Sequence, residues 1–419
     1  ISYCGVSKNG TTVRSFAVLP CRMRSACVYG SMPGSQQDIR ITMDGGFSQS
    51  DANPADGRAA GFDALSLHRR LASHRDSTHV AETPTVTGRC WCISKGMAGM
   101  NSQTAGLASA VGYQPLENAA ADHVSTAAAY ELINARMAFP WNCLPFSMIP
   151  QSGRVLKQPA ALEASPQPRL VVSCGRHGVI PALYLKKKLG REVFTVHIQD
   201  PKCDTSGFDM VLIPKHDPTR GPNVYLTMGA LHKVTSEKLE AARHTPEAAQ
   251  LVDPTRPLVS VLLGGKNGYY SFSPADIDRL FEKLNRLVAE HDVRLAVLTS
   301  NRTPPEVCTR LTKDFGDNHF IWNGQGTNPY FEALALADYI VVTGDSVSMV
   351  TEATATGRPV FVEHLTERRT ARRFRKFHSM FEEAGLTRRF EGTLAEWEYE
   401  PPNDTPNVAR LIRERMAEQ

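Results

Sequence analysis

The feature that most constrains this chain is a recurring unit of a short apolar strand, a glycine-containing turn and a helix. In the first unit the strand is predicted at 89–93, the turn at 94–99 and the helix at 101–111. A second unit begins with the apolar run at 170–173. Continuous apolar strands that alternate with helices are typical of a parallel sheet covered by helices on both faces. The pattern therefore predicts an α/β lobe of the Rossmann-like kind.

A second series of the same units follows the proline-containing stretch at 253–257. Its strands are predicted at 258–263, 295–300, 339–343 and 359–362. Ser273 followed by Pro274 predicts the start of a helix, with serine at the N-cap and proline at the first helical position. A chain of 419 residues is long enough for more than one core. We expect two Rossmann-like lobes facing a cleft, one at 86–248 and one at 249–419 with C-terminal helices.

Residues 1–85 show no sustained helical or strand period and are rich in Ser, Gly, Asp and Arg. Basic residues precede the first acidic residue, Asp38, and such an acid-free start resembles an organelle transit peptide. The alternatives are a disordered extension and upstream sequence that is not part of the natural protein. We assign no function to this segment.

Composition excludes several classes of protein. The net charge of +4 gives no argument for nucleic-acid binding. The sequence contains no apolar run of about 18 residues, so we expect no transmembrane helix. The 9 cysteines are scattered without a C-x-x-C pair, which favours free thiols in a reducing, cytoplasmic compartment and predicts no metal site. We expect the side chains of Cys90 and Cys92 to point to opposite faces of the first strand.

The strongest candidate ligand site follows the predicted strand at 339–343, because open α/β sheets bind ligands at the carboxyl ends of their strands. Asp345, Ser346 and Ser348 open a helix there, whose free N–H groups and dipole favour an anion. Glu352 lies further along the same helix, within reach of a ribose hydroxyl pair. The structural alternative is that Asp345 or Ser346 is only an N-cap and Glu352 is a solvated residue.

Three further strand ends of the second lobe carry candidate ligand-binding residues. Gly264 and Gly265 allow the backbone to approach a phosphate closely. Arg302 is placed to bind a phosphate, or to pair with a neighbouring carboxylate for structural reasons. Asn323 lies in a loop where a base or sugar edge would be read.

The first lobe contributes candidates of two kinds. Gly96 and Gly99 lie in the first strand–helix turn and are candidate ligand-binding residues, although without a G-x-G-x-x-G pattern they do not predict a dinucleotide site. His216 beside Asp217 has the composition of a general base oriented by a carboxylate, and Asp200 is a second candidate base. The alternative for His216 is a surface-loop histidine.

The stretch at 368–378 is strongly basic and is predicted to be helical. Phe374, Phe377 and Phe381 fall at helical spacing and are expected to form its buried side. A solvated basic face is the default interpretation, and the alternatives are contact with phosphates, acidic lipid or an acidic partner.

Taken together, the motifs identify a resemblance to the mitochondrial-fission "elongated mitochondria" family, which has plant and bacterial members. The resemblance runs from about Arg89 to the C-terminus. It rests on these segments: 96–99 with Gln103, 198–201, 208–211, 227–232, 263–265, 300–304, 322–324, 337–360 and 403–405.

The resemblance implies a fold of the glycosyltransferase-B type, with a nucleotide-sugar donor held by the C-terminal lobe. It makes Gly264, Gly265, Ser346, Ser348 and Glu352 the donor-site candidates. Bacterial members often carry Asp-Gly-Lys-x-Gly in the first turn, and the departure from it here puts a catalytic role of that turn in doubt.

Two functions follow from the resemblance. One is a metal-independent transferase that moves a sugar from a nucleotide diphosphate to an acceptor, with no cofactor other than this donor. The other is a non-enzymatic adaptor that recruits a dynamin-like GTPase, or meets a membrane, through the basic stretch at 368–378. The second function implies a place at the mitochondrial surface if the source is eukaryotic.

Overall fold

The computed structural model describes residues 86–116, 128–163 and 165–419. The prediction made for residues 1–85 lies outside these described residues.

The first lobe is built on a sheet of seven parallel strands in the order β2-β3-β1-β4-β5-β6-β7. The strands are β1 (Arg89–Ser94), β2 (Gln114–Pro115), β3 (Ala129–Asn134), β4 (Pro168–Cys174), β5 (Phe194–Ile198), β6 (Met210–Pro214) and β7 (Val224–Thr227). Helices α1 (Ala98–Val111) and α2 (Arg176–Leu189) follow β1 and β4. Helix α1 begins before the predicted Asn101, so Gly99 lies in its first turn.

The faces of β1 separate two apolar clusters. Trp91 and Ile93 pack into one cluster, and Cys90 and Cys92 pack into the other. The expectation that these two cysteines point to opposite faces is therefore wrong, because residues two apart in a strand share a face. Both thiols are buried within the same core.

The second lobe is built on a sheet of six parallel strands in the order β10-β9-β8-β11-β12-β13, which is the Rossmann strand order. The strands are β8 (Leu258–Leu262), β9 (Arg294–Leu298), β10 (Phe320–Trp322), β11 (Tyr339–Thr343), β12 (Val360–Glu363) and β13 (Arg388–Arg389). The strand order reverses between β8 and β11. The predicted pair of Rossmann-like lobes, the glycosyltransferase-B type, is thus confirmed.

Eight further helices accompany the sheets in the described part of the chain: α3 (Ser236–Ala242), α4 (Ala248–Leu251), α5 (Pro274–Glu290), α6 (Pro305–Phe315), α7 (Tyr330–Leu336), α8 (Val347–Thr354), α9 (Arg372–Glu383) and α10 (Asp404–Ala417). Helix α5 begins where Ser273 predicts it. The Ser273 hydroxyl accepts a hydrogen bond from the Asp276 amide, and the Asp276 carboxylate accepts one from the Ser273 amide at 2.9 Å. None of the described helices is long and apolar enough to cross a membrane.

The last helix, α10, returns to the first lobe. Val408 and Ile412 are buried in the same cluster as Cys90, and the Arg413 guanidinium donates to the carbonyl of Ala110 at 2.8 Å. The sequence analysis placed this helix with the second lobe at 249–419, because sequence proximity does not reveal which apolar face it covers. The chain therefore crosses between the lobes a second time before it ends.

Candidate functional site

A cavity of about 740 Å³ lies between the carboxyl ends of the two sheets. Its volume falls within the range of small-molecule sites, roughly 300–1,000 Å³. The first lobe lines it with Met97, Gly99, Met100, Gln103, Gln199, Pro214, His216 and Ala230. The second lobe lines it with residues 267–269, 345–348, Thr370 and 372–374. Open α/β sheets bind ligands outside the carboxyl ends of their strands, where the strand order reverses, and the cavity lies at this place.

Helix α8 points its N-terminus at the cavity. Ser346 is the N-cap, and its hydroxyl accepts a hydrogen bond from the Met349 amide at 3.4 Å. The first amides of a helix have no acceptor within the helix, and its dipole adds partial positive charge there. Ser346 and Ser348, two of the predicted ligand-binding residues, both line the cavity.

The Gly264–Gly265 turn is filled by side chains of the protein itself. The buried carboxylate of Asp345 accepts a hydrogen bond from the Gly265 amide at 3.1 Å and pairs with the guanidinium of Arg302. A Cβ on Gly264 would overlap the Asp345 carboxylate, and one on Gly265 would overlap the backbone of Arg302. Of these four residues, Asp345 alone lines the cavity. The structure thus shows the carboxylate pairing that was the alternative for Arg302.

Glu352 and Asn323 do not line the cavity. The carboxylate of Glu352 accepts a hydrogen bond from the Tyr330 hydroxyl at 2.6 Å, and burial raises its pKa. The hydroxyls of Tyr330 and of Ser102, on α1 of the first lobe, act in the opposite direction on this pKa. Glu352 is therefore neither a solvated helix residue nor open to the cavity. Asn323 is exposed, and its side-chain oxygen accepts from the Gln325 amide at 3.1 Å.

His216 lies in the wall of the cavity and packs edge-on against Phe377, with ring centroids 5.8 Å apart. Burial lowers its pKa, although the Asp217 carboxylate acts in the opposite direction. That carboxylate binds the guanidinium of Arg373 in the second lobe at 2.7 Å. The buried Nδ1 of His216 has no hydrogen-bond partner among the described residues. The predicted orientation of His216 by Asp217 is not observed.

Asp200 faces its own loop. Its carboxylate accepts a hydrogen bond from the Lys202 amide at 2.9 Å and pairs with the ammonium of the same residue. Asp200 does not line the cavity, whereas its neighbour Gln199 does.

The two glycines of the first turn differ. Gly99 lines the cavity, and a Cβ there would lie 3.6 Å from the Ser348 hydroxyl across the cleft. Gly96 has a φ of 88°, and a Cβ there would come within 2.6 Å of the Asn134 side chain. Gly96 therefore permits a tight turn against β3 and does not face the cavity.

The basic stretch contributes to the cavity as well as to the surface. Helix α9 buries Phe377 and Phe381, half-buries Phe374, and directs Arg372 and Arg373 to the cavity. From the sequence, Arg372 and Arg373 were predicted to lie on a basic helix but were not predicted to line a cavity.

Gln103 and Gln199 also line the cavity and were not among the predicted site residues. Both stand in segments on which the family resemblance rests, and this was the signal that could have identified them.

Two curated relatives share sequence with this chain. The Mitochondrial fission protein ELM1 of Arabidopsis thaliana is 33% identical over 282 residues, which is 60% of this chain and 64% of the relative. The chain therefore spans less than two thirds of that relative's length. A protein of Rickettsia prowazekii described as uncharacterized is 26% identical over 302 residues, or 59% of this chain and 79% of the relative.

Solved structures resemble the chain at lower identity. UDP-GlcNAc 2-epimerase from Neisseria meningitidis, bound to UDP-GlcNAc, is 12% identical with a TM-score of 0.44, covering 79% of this chain and 100% of that one. The glycosyltransferase SnogD from Streptomyces nogalater is 14% identical with a TM-score of 0.42, covering 79% of this chain and 96% of that one.

The family described as Mitochondrial fission ELM1 matches residues 98–416, which include the second lobe, the first lobe from α1 onward and nearly all of the returning helix α10. This range contains nearly every motif on which the resemblance rests. The chain belongs to the Mitochondrial fission ELM1 family.

Proposed function

We propose that the cavity binds a nucleotide sugar and that the chain acts as a glycosyltransferase on an acceptor yet to be identified. The observation that carries the proposal is the second-lobe wall. There Arg372, Arg373 and the N-terminus of α8 at Ser346–Ser348 face one cavity at the point where the strand order reverses.

This wall suits a diphosphate. Arg372 is exposed and forms no ion pair with any carboxylate in the described ranges, so its guanidinium is available to an anion. The first amides of α8 offer hydrogen-bond donors from the adjoining side. Donors fixed before the reaction stabilise the charge that develops on a leaving diphosphate without reorganising.

The remaining candidates take different roles in the proposal. The Gly265 amide and the Arg302 guanidinium bind the Asp345 carboxylate, Gly264 leaves room for it, and Asp345 in turn fixes the loop that starts α8. His216 is the candidate base, because it lies in the cavity wall and its lowered pKa keeps it neutral near pH 7. It would take the proton of the acceptor hydroxyl as that oxygen attacks the anomeric carbon and the bond to the diphosphate breaks. Asp200, the other predicted base, has no such role in the proposal, because its carboxylate is bound to Lys202.

The test is titration calorimetry of the full chain with UDP, GDP and their sugar conjugates. Arg372→Ala should weaken the binding of the preferred nucleotide by about tenfold, because one charge-assisted contact is lost. Lys376→Ala is the matched control, since Lys376 is an exposed cation on the same helix that does not line the cavity. It should change the dissociation constant by less than about twofold. Equal effects of both variants, or no binding of any nucleotide by the wild type, would refute the proposal.

The adaptor hypothesis is the second candidate, and the surface of the basic stretch favours it. Arg368 and Arg369 are exposed beside α9, and Arg375 is exposed but bound to Glu367 at 2.6 Å. Recruitment of a dynamin-like GTPase would use this outer face, whereas ligand binding uses the inner face. If no nucleotide binds to the folded wild type, the adaptor becomes the preferred function.

A further inference from the structure

The two walls of the cavity carry different charge. The second-lobe wall holds Arg372, Arg373 and Asp345, whereas the described part of the first-lobe wall contains no Lys, Arg, Asp or Glu. Its polar side chains are Gln103, Gln199 and His216. Glutamine carries no charge, and His216 is neutral at pH 7 because burial lowers its pKa. A ligand with one anionic and one uncharged polar part would therefore place the uncharged part against the first lobe.

Gln199 is held in a backbone conformation that glutamine rarely adopts. Its φ is 79°, and among the described residues Lys202 is the other non-glycine residue with positive φ. In this region the Cβ of an L-residue lies close to its own carbonyl oxygen, which costs free energy. Such strain persists where the surroundings enforce it, and it concentrates at ligand sites.

The neighbouring residues enforce this conformation. The Gln199 amide donates to the carbonyl of Leu212 on β6 at 2.9 Å. The Asp200 carboxylate, which is only 4% exposed, closes the turn by binding both the amide and the ammonium of Lys202. Asp200, the residue predicted as a base, therefore stabilises the turn that directly follows Gln199.

The side chain of Gln199 is open to the cavity. Its Oε1 lies near Gly175, at the start of α2, where a Cβ would stand 3.6 Å from it. The side-chain amide makes no hydrogen bond to any residue that the structure describes. Gln103, by contrast, is buried and donates its amide to the Gly99 carbonyl at 3.2 Å. Gln199 thus offers a free donor and a free acceptor on the uncharged wall.

We infer that Gln199 recognises the sugar of the bound nucleotide sugar, through a hydroxyl or amide group that both donates and accepts a hydrogen bond. The inference rests on the proposed function and adds to it the residue that distinguishes a nucleotide sugar from its nucleoside diphosphate. A hydroxyl or an acylamino group pairs with both ends of a carboxamide, whereas a phosphate only accepts.

The experiment measures the dissociation constants of UDP with UDP-N-acetylglucosamine, and of GDP with GDP-mannose, for the wild type and two variants. Gln199→Ala removes the amide and keeps the unfavourable backbone, whereas Gln199→Gly removes both the amide and the steric cost. Both variants should bind the preferred nucleotide sugar about tenfold more weakly and the matching diphosphate within about twofold of the wild type. Gln199→Gly should have a melting temperature at or above that of Gln199→Ala.

The outcomes separate this inference from the proposed function. If the wild type binds neither member of any pair, both are refuted. If it binds a diphosphate but the sugar adds no affinity, or if both variants weaken the two ligands equally, the anion site stands and the role of Gln199 is refuted. A melting temperature of Gln199→Gly well below that of Gln199→Ala would show that the backbone at this residue is not strained.

Discussion

The first glycine turn, at 94–99, and the second, at 263–265, occupy matching places after the first strand of their sheets. Both were predicted to contact a ligand, yet different atoms surround them. Gly99 lies on the cavity wall, with the Ser348 hydroxyl as its neighbour across the cleft. Gly265 faces the Arg302 backbone and binds Asp345. One turn is open to a ligand, and the other is occupied by the protein itself.

The difference shows that glycine after a strand indicates close approach without saying what approaches. In the second lobe the approaching group is the Asp345 carboxylate, which occupies the space where a phosphate was expected. The anion site that we propose therefore lies only at the neighbouring turn, at the N-terminus of α8. Substitutions at the two turns should therefore affect different properties, with stability changing at the second and ligand binding at the first.

Gly265→Ala should have the largest effect. The new Cβ would overlap the carbonyl group of Arg302, which is backbone and cannot rotate away. We expect the free energy of unfolding to fall by about 3 kcal/mol, at the upper end of overpacking effects. Chemical denaturation measures it.

Gly268→Ala is the matched control in the same loop, because its Cβ would meet no atom within 4 Å. It should change the stability by less than about 0.5 kcal/mol. If Gly265→Ala is as mild as this control, the second turn is not closed by Arg302, and its availability to a ligand must be reconsidered.

Local patterns explain which parts of this structure the sequence could predict. The Ser273 N-cap and the strand at Tyr339–Thr343 depend on residues close in the chain, so propensity and capping chemistry locate them. The contact of Gly265 with Asp345 joins residues 80 positions apart. No local pattern records such a contact, and the return of α10 to the first lobe has the same non-local cause.

Local patterns also explain why only part of the candidate site could be predicted from the sequence. Ser346 and His216 were found because polar residues at strand ends face the cleft, and both line the cavity. Gln199 was missed in favour of Asp200, its neighbour. Which of two adjacent side chains faces a cavity depends on the backbone torsion, and a positive φ at glutamine has no signature in its own sequence.

Acid should also destabilise the second lobe next to Asp345. The carbonyl of Gly344, which precedes Asp345 in the chain, lies 2.8 Å from the imidazole Nε2 of His378, and burial, with the adjacent His364, lowers the pKa of His378 to about 4. A histidine with a folded-state pKa below its usual 6.5 contributes stability above pH 6.5 that is lost as the pH falls towards 4. We expect this loss to reach about 2 kcal/mol, within the limit of about 1.4 kcal/mol per pH unit.

The measurement compares the pH dependence of unfolding for the wild type and His378→Gln, whose amide donates to Gly344 but does not titrate in this range. Other buried histidines contribute to both profiles, so the difference between the two free energies of unfolding isolates His378. This difference should shrink from pH 7 to pH 4, because the wild type alone loses the contribution of His378. Parallel wild-type and His378→Gln profiles would show that His378 does not make the stability of the protein depend on pH.

Gly99→Ala should not destabilise the protein and is the counterpart of Gly265→Ala. Gly99 lies in α1, where alanine is favoured over glycine by about 1 kcal/mol, and the new methyl would meet the Ser348 hydroxyl at an ordinary contact distance of 3.6 Å. We expect the free energy of unfolding to stay constant or rise by up to about 1 kcal/mol. Because the methyl also narrows the cavity beside the N-terminus of α8, nucleotide binding should weaken by a fewfold in the same variant. A loss of stability with unchanged binding would place Gly99 with Gly265 as a packing glycine, and the contrast between the two turns would no longer hold.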